Sequence, residues 1–291
     1  MKRSLCTLLG TGLLCAAFQL AAQPPTDPPR VIRIFREDIK EGRGPAHEKT
    51  EAKWAQLMTR AKYPNNSLGM TSLTGPSQAW FVEAHESFAS IGEAEAFFGK
   101  SPAIKAETES LDSQDAEYRS GSRNWIAVYR PEMSFHPKQL VESLPKARYF
   151  NVITFRVRQG HDQDFEDIAK TAVAALEKSA AEQAVVTYQL VSGGPNGTYL
   201  LFEPMASLKS VDEAAARGPA FAQAMGDSGM KKFLKAISDT IVSEDFALFT
   251  INPKMSYVSK EFAAGDPDFW TPKTAKTAAP AKPAAKTSAK K

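Results

Sequence analysis

Glu83 and His85 stand two apart in the run Gln78-Ala79-Trp80-Phe81-Val82-Glu83-Ala84-His85. Alternate residues of an extended strand share a face, so Phe81, Glu83 and His85 point one way and Trp80, Val82 and Ala84 the other. A carboxylate among apolar strand residues, next to an imidazole, can have a raised pKa and act as a general base. The position recurs as Glu203, with Leu201 and Met205 as its neighbours. Recurrence favours a second reading, in which each carboxylate pairs with an Arg or Lys across a sheet. Trp80, Trp125 and Phe81 could wall an apolar pocket. The candidate ligand-binding positions are therefore Glu83, His85, Phe81, Trp80 and Glu203.

Other chemistries find little footing. The four histidines, His47, His85, His136 and His161, include no pair three or four residues apart, so no metal site is expected. His161 reads as the start of a helix and His136 as solvent-facing. Both cysteines, Cys6 and Cys15, fall in the N-terminal segment. The rest of the chain thus offers no disulfide, thiolate nucleophile or cysteine ligand. There is no Gly-x-Ser-x-Gly elbow and no phosphate-binding glycine loop, and Gly193-Gly194-Pro195-Asn196-Gly197 reads as a turn between strands.

The elements that must position these residues come in two copies. Arg130-Pro131-Glu132-Met133-Ser134-Phe135 returns as Asn252-Pro253-Lys254-Met255-Ser256-Tyr257, and Trp80-Phe81-Val82-Glu83-Ala84 as Leu200-Leu201-Phe202-Glu203-Pro204. Gly75-Pro76 matches Gly194-Pro195, and Pro102-Ala103 matches Pro219-Ala220. Four anchors in one order at near-constant spacing mark a duplicated domain rather than a solenoid. Each copy opens with a β-branched and aromatic run, Val31 to Phe35 or Tyr149 to Phe155. A helix follows, marked by Trp54, Leu57, Met58 and Ala61, or by Phe165, Ile168, Ala172, Val173 and Leu176. A hairpin, two helical segments and a closing strand (Trp125 to Tyr129, Phe246 to Ile251) complete each copy.

The resulting order, β-α-β-β-α-α-β twice, is a tandem ferredoxin-like α+β arrangement. It resembles the dimeric α+β barrel superfamily, which includes antibiotic-biosynthesis-type and haem-degrading monooxygenases. The resemblance implies that the copies form an intrachain version of that barrel, each sheet covering the apolar face of the other. It also implies an oxygenase alternative, either cofactor-independent or haem-linked. The haem-degrading members use an Asn, a Trp and a His. Asn151 lies on the second opening strand without a Trp in that copy, whereas Trp54, Trp80, Trp125 and His85 lack an Asn on the first opening strand. No cofactor is therefore expected.

The chain of 291 residues divides into a signal peptide at 1–22, a first repeat at 30–136, a linker at 137–147, a second repeat at 148–258 and a disordered Lys/Ala/Pro-rich tail at 259–291. Lys2 and Arg3, the apolar run from Leu5 to Phe18 and the exit Leu20-Ala21-Ala22 have the form of an export signal. That run is too short for a membrane span, so an integral membrane protein is not expected. Residues 23–270 carry 28 basic and 33 acidic residues, which confines basic character to the tail. The tail has no aromatic residue interleaved with its lysines, which argues against specific nucleic-acid binding and leaves an anionic envelope surface as its partner. The sequence thus describes an exported protein, periplasmic or extracellular, that binds a small apolar or aromatic molecule in an α+β barrel pocket. The alternatives are the monooxygenase-like enzyme and an envelope interaction module tethered by the tail. Protein recovered from an exporting host should have an intact mass that begins at Gln23, and a mass that retains Met1 would refute the export signal.

Overall fold

The computed structural model describes residues 26–271. The export segment expected at 1–22 and residues 272–291 of the expected tail lie outside the described residues. The first half runs β1 (Val31–Ile39), α1 (Gly44–Ala61), β2 (Ser67–Ser72), β3 (Gln78–His85), α2 (Phe88–Phe98), α3 (Pro102–Asp115) and β4 (Arg119–Tyr129). A short helix, α4 (Pro137–Ser143), crosses to the second half. That half runs β5 (Tyr149–Val157), α5 (Asp162–Lys178), β6 (Val186–Ser192), β7 (Thr198–Met205), α6 (Lys209–Thr240) and β8 (Ile241–Ile251). Helix α6 covers both expected helical segments, broken at Gly226, whose φ of 67° is one that glycine adopts freely.

The eight strands close into one antiparallel barrel in the order β1-β3-β2-β8-β5-β7-β6-β4. This is the expected α+β architecture, a dimeric α+β barrel held within one chain. The seams are pseudo-symmetric: β2 pairs with β8, and β6, its counterpart, pairs with β4. Closure leaves no unpaired edge in the sheet.

Strand alternation fills the barrel with side chains. Ile32 and Ile34 of β1, Trp80 of β3, Trp125 of β4, Phe150 and Val152 of β5 and Phe249 of β8 belong to one core. Each large side chain buried there contributes about 1.5–3 kcal/mol. Side chains thus pack the barrel interior. The expected linker and the first part of the expected tail are also ordered. Leu140 and Ala147 join the interior core, as does Trp270 of α8 (Pro267–Trp270), which follows α7 (Lys260–Ala263). Trp270 donates its indole N–H to the Pro145 carbonyl at 2.7 Å, and Arg148 lies over the Phe269 ring. Three aromatic residues, Phe262, Phe269 and Trp270, thus hold 259–271 against the barrel, which a purely polar tail could not do.

The repeated Pro-x-Met-Ser-aromatic segment now has a physical role. Each copy forms a 3₁₀ turn, Pro131–Met133 or Pro253–Met255, and then bridges to the other half, Phe135 to Val185 and Tyr257 to Ser67. Ser256 Oγ accepts the Gly69 N–H at 2.9 Å, and Ser134 Oγ accepts the Thr187 N–H at 3.0 Å. Met133 and Met255 are buried beneath these latches. A Cβ on Gly69 would sit 2.6 Å from the Met255 carbonyl oxygen. Gly69→Ala should therefore cost about 1–3 kcal/mol, read as a lower urea midpoint, and an unchanged midpoint would contradict this account of the seam.

Candidate functional site

Outward-facing residues of the first half leave a space that the interior does not. A cavity of about 440 Å³ lies between the outer face of β1, β3 and β4 and helices α1 to α3. Odd-numbered positions of β1 supply Arg33, Phe35 and Glu37, and β3 supplies Phe81 and Glu83. Helix α1 contributes Glu51, Trp54 and Met58, α2 contributes Glu95 and Phe98, and α3 contributes Asp112 and Asp115. The side chains of Glu95 and Asp112 are 66% and 67% exposed and form the rim, whereas Arg33 and Glu83 are buried at the floor.

At the floor, Glu83 is a hub. Arg33 stands opposite it in the β1–β3 register and donates Nε–H to Oε2 at 2.8 Å. His85 Nε2 lies 2.9 Å from the same oxygen, and its Nδ1 lies 3.1 Å from Ser90 Oγ. The Tyr63 hydroxyl donates to Oε1, and Arg33 also pairs with Glu95. Burial alone would raise the Glu83 carboxyl pKa. The His85 hydrogen bond, the Arg33 charge and the Tyr63 hydroxyl outweigh it and hold the group below the usual carboxylate range. A carboxylate so fully engaged is a poor proton acceptor. The raised pKa expected for a base at Glu83 is thus corrected, and the cross-sheet ion pair is what the geometry shows.

The other expected site residues separate. Trp80 faces the barrel interior, where the Arg36 guanidinium lies over it at 4.3 Å and over Trp125 at 3.9 Å. Burial lowers the Arg36 pKa to about 10. Trp80 therefore backs the wall instead of lining the cavity with Phe81 and Glu83. Glu203 lies in the other half, opposite Asn151, whose amide donates to it at 3.2 Å, with Arg217 at 4.0 Å. His161 bonds Asp164 at the start of α5, and His136 is part-buried, stacked on Phe135.

The opposite end of the cavity holds a group that the sequence reading did not assemble. Glu37, His47, Glu51 and Asp115 are all buried, and each offers a ligand-type atom within 4.8 Å of the others. A search for histidine pairs cannot find them. The available signal was His47 with Glu51, four apart on α1 and hence on one helix face. Glu37 and Arg119 fell outside the expected strands, because β1 and β4 are longer than their apolar runs, whereas Asp115 ends helix α3. Arg119 bridges this cluster, 2.8 Å from Glu37 Oε1 and 3.3 Å from Asp115 Oδ2, and also pairs with Asp112. Burial, with Glu37 nearby, pushes the Asp115 carboxyl up to about 6. Burial, with Glu37 and Asp115 nearby, also raises Glu51 well above the usual range.

No sequence-family model matches the chain, and no curated protein matches it in sequence. Solved structures resemble its backbone at low identity. An anthrone oxidase-like protein is 10% identical over 81% of this chain and 96% of its own, with a TM-score of 0.49. A Fusobacterium nucleatum protein provisionally described as a monooxygenase is 11% identical over 77% and 93%, also at 0.49. Chlorite dismutase from Candidatus Nitrospira defluvii is 10% identical over 78% and 92%, at 0.46.

The haem-linked alternative needs an axial ligand for iron. Trp54 and Asn124 do line the cavity, but no imidazole does among the described residues. His85 is held by Glu83 and Ser90, and His47 by Glu37. The cavity therefore lacks the histidine of the Asn, Trp and His set that the haem-degrading resemblance implies.

Removing one partner from a buried ionic hub strands the others, so Glu83→Gln should cost about 3–5 kcal/mol in chemical denaturation. Glu203→Gln, whose ion pair is longer and less buried, should cost under about 1 kcal/mol. Equal losses at the two positions would show that Glu83 is no such hub.

Proposed function

We propose that the first-half cavity binds a small aromatic molecule that is neutral or cationic and donates hydrogen bonds. One observation carries this reading: aromatic walls enclose a strongly acidic lining. Phe35, Trp54, Phe81 and Phe98 supply the apolar surface. Six carboxylates face only two guanidiniums, those of Arg33 and Arg119. An anionic ligand would meet like charge in a partly desolvated space, while an amine or phenol N–H or O–H finds acceptors.

Binding is better supported than oxygenation, because the base assigned to Glu83 and His85 is already committed to Arg33, Tyr63 and Ser90. We also propose export, supported by the basic, apolar and small-residue order of residues 2–22.

Thermal shift with tyramine, phenol and benzoate tests the reading. Tyramine and phenol should raise Tm, with a stabilisation of about 2.7 kcal/mol at a hundredfold excess over Kd, and benzoate should not. Ala55→Leu puts a larger side chain into the cavity from α1 without touching the ionic groups, and should abolish the shift. An equal response to benzoate, or a shift that survives Ala55→Leu, would overturn the proposal.

A further inference from the structure

We infer that Glu37, His47, Glu51 and Asp115 form a binding site for a divalent first-row transition cation. Four observations converge on it. First, the oxygens are sorted: Arg119 takes Glu37 Oε1 and Asp115 Oδ2, which leaves Glu37 Oε2 at 2.7 Å and Asp115 Oδ1 at 3.4 Å from His47 Nε2. An arginine that holds the outer oxygen of two carboxylates turns their inner oxygens to a common point, as outer-shell partners of metal ligands do.

Second, among the described residues His47 Nε2 is the one donor at that point and is engaged with Glu37 Oε2, which leaves two carboxylates there without a hydrogen bond. Asp115, 1% exposed, has an Oδ1 with no hydrogen-bond donor. Glu51 is buried and makes no side-chain hydrogen bond or ion pair among the described residues. Buried polar groups are normally satisfied, so an orphaned carboxylate oxygen that faces an imidazole and two other carboxylates marks a missing positive partner.

Third, the two halves differ here. By strand register and helix position, Glu37, His47, Glu51, Asp115 and Arg119 correspond to Phe155, Phe165, Ala169, Ile237 and Ile241 of the second half. Phe155, Phe165, Ala169 and Ile241 pack with Val157 and Tyr199 into an apolar plug. One copy of the fold closes this space with hydrocarbon, and the other lines it with a histidine and three carboxylates.

Fourth, the donor set selects the ion. One imidazole with carboxylates suits Zn²⁺, Mn²⁺ or Fe²⁺ better than Ca²⁺ or Mg²⁺, and the absence of thiolate disfavours Cu⁺. Three carboxylates against one guanidinium leave a surplus that a divalent charge offsets. Glu37, Glu51 and Asp115 also line the cavity, so the ion would sit at its inner end.

Cation uptake is measured with the metal alone, so its outcome does not depend on whether the cavity takes an organic ligand. Full-length protein stripped with chelator is titrated with ZnSO₄ and, separately, MnCl₂ by calorimetry, and its Tm is followed. One ion should bind per chain and raise Tm. Glu51→Gln should weaken cation binding at least about tenfold. His161→Gln, on the exposed His161–Asp164 pair, should bind like the parent. Absence of stoichiometric uptake at millimolar metal, an unchanged affinity in Glu51→Gln, or loss of binding in His161→Gln would overturn the inference.

Discussion

Closure of the barrel through its two seams is the constraint on which everything else rests. A four-stranded sheet with helices on one face has an apolar opposite face and two unpaired edges, neither of which is tolerable in water. Each half meets both needs with the other. The faces merge into one interior core, and the outer edges pair as β2 with β8 and β4 with β6. The Pro-x-Met-Ser-aromatic segments then lay a serine of one half on the backbone of the other at each seam. Because both halves draw stability from the shared core, their helix-covered faces are free to differ.

The two halves differ beneath their helices. The second half fills the space beneath its helices with Phe155, Phe165 and Tyr199. The first half carries two ionic groups there, the Glu83 hub and the Arg119-centred cluster, with a cavity between them. Buried charge of this kind is costly and is sustained by the surrounding structure.

Element order was legible because it rests on local signals, apolar periodicity and turn residues. The alternation that set Phe81, Glu83 and His85 on one face was also readable, and the structure confirms it for that strand. The location of the cavity was not. Period two tells which residues share a face, but not which face becomes the barrel interior, so Trp80 and Trp125 read as pocket walls when they clamp Arg36. The charged cluster escaped for a different reason. Arg119 to Asn124 and Glu37 to Ile39 extend β4 and β1 beyond their apolar stretches, and strand pairing rather than composition makes them strand. Trp270 escaped as well, since an aromatic residue next to a lysine-rich segment gives no hint of the core that will receive it.

The seam between β2 and β8 joins the second strand along the chain to the eighth, across residues 67–72 and 241–251. A pairing so distant in sequence gives the fold a high contact order, and the entropy of closing that loop is lost before any seam contact forms. During synthesis the edge of β2 has no partner until nearly the whole described chain has emerged. The first half therefore spends its early life as an open sheet with an exposed apolar face, exposed to intermolecular strand pairing and dependent on the last strand for rescue.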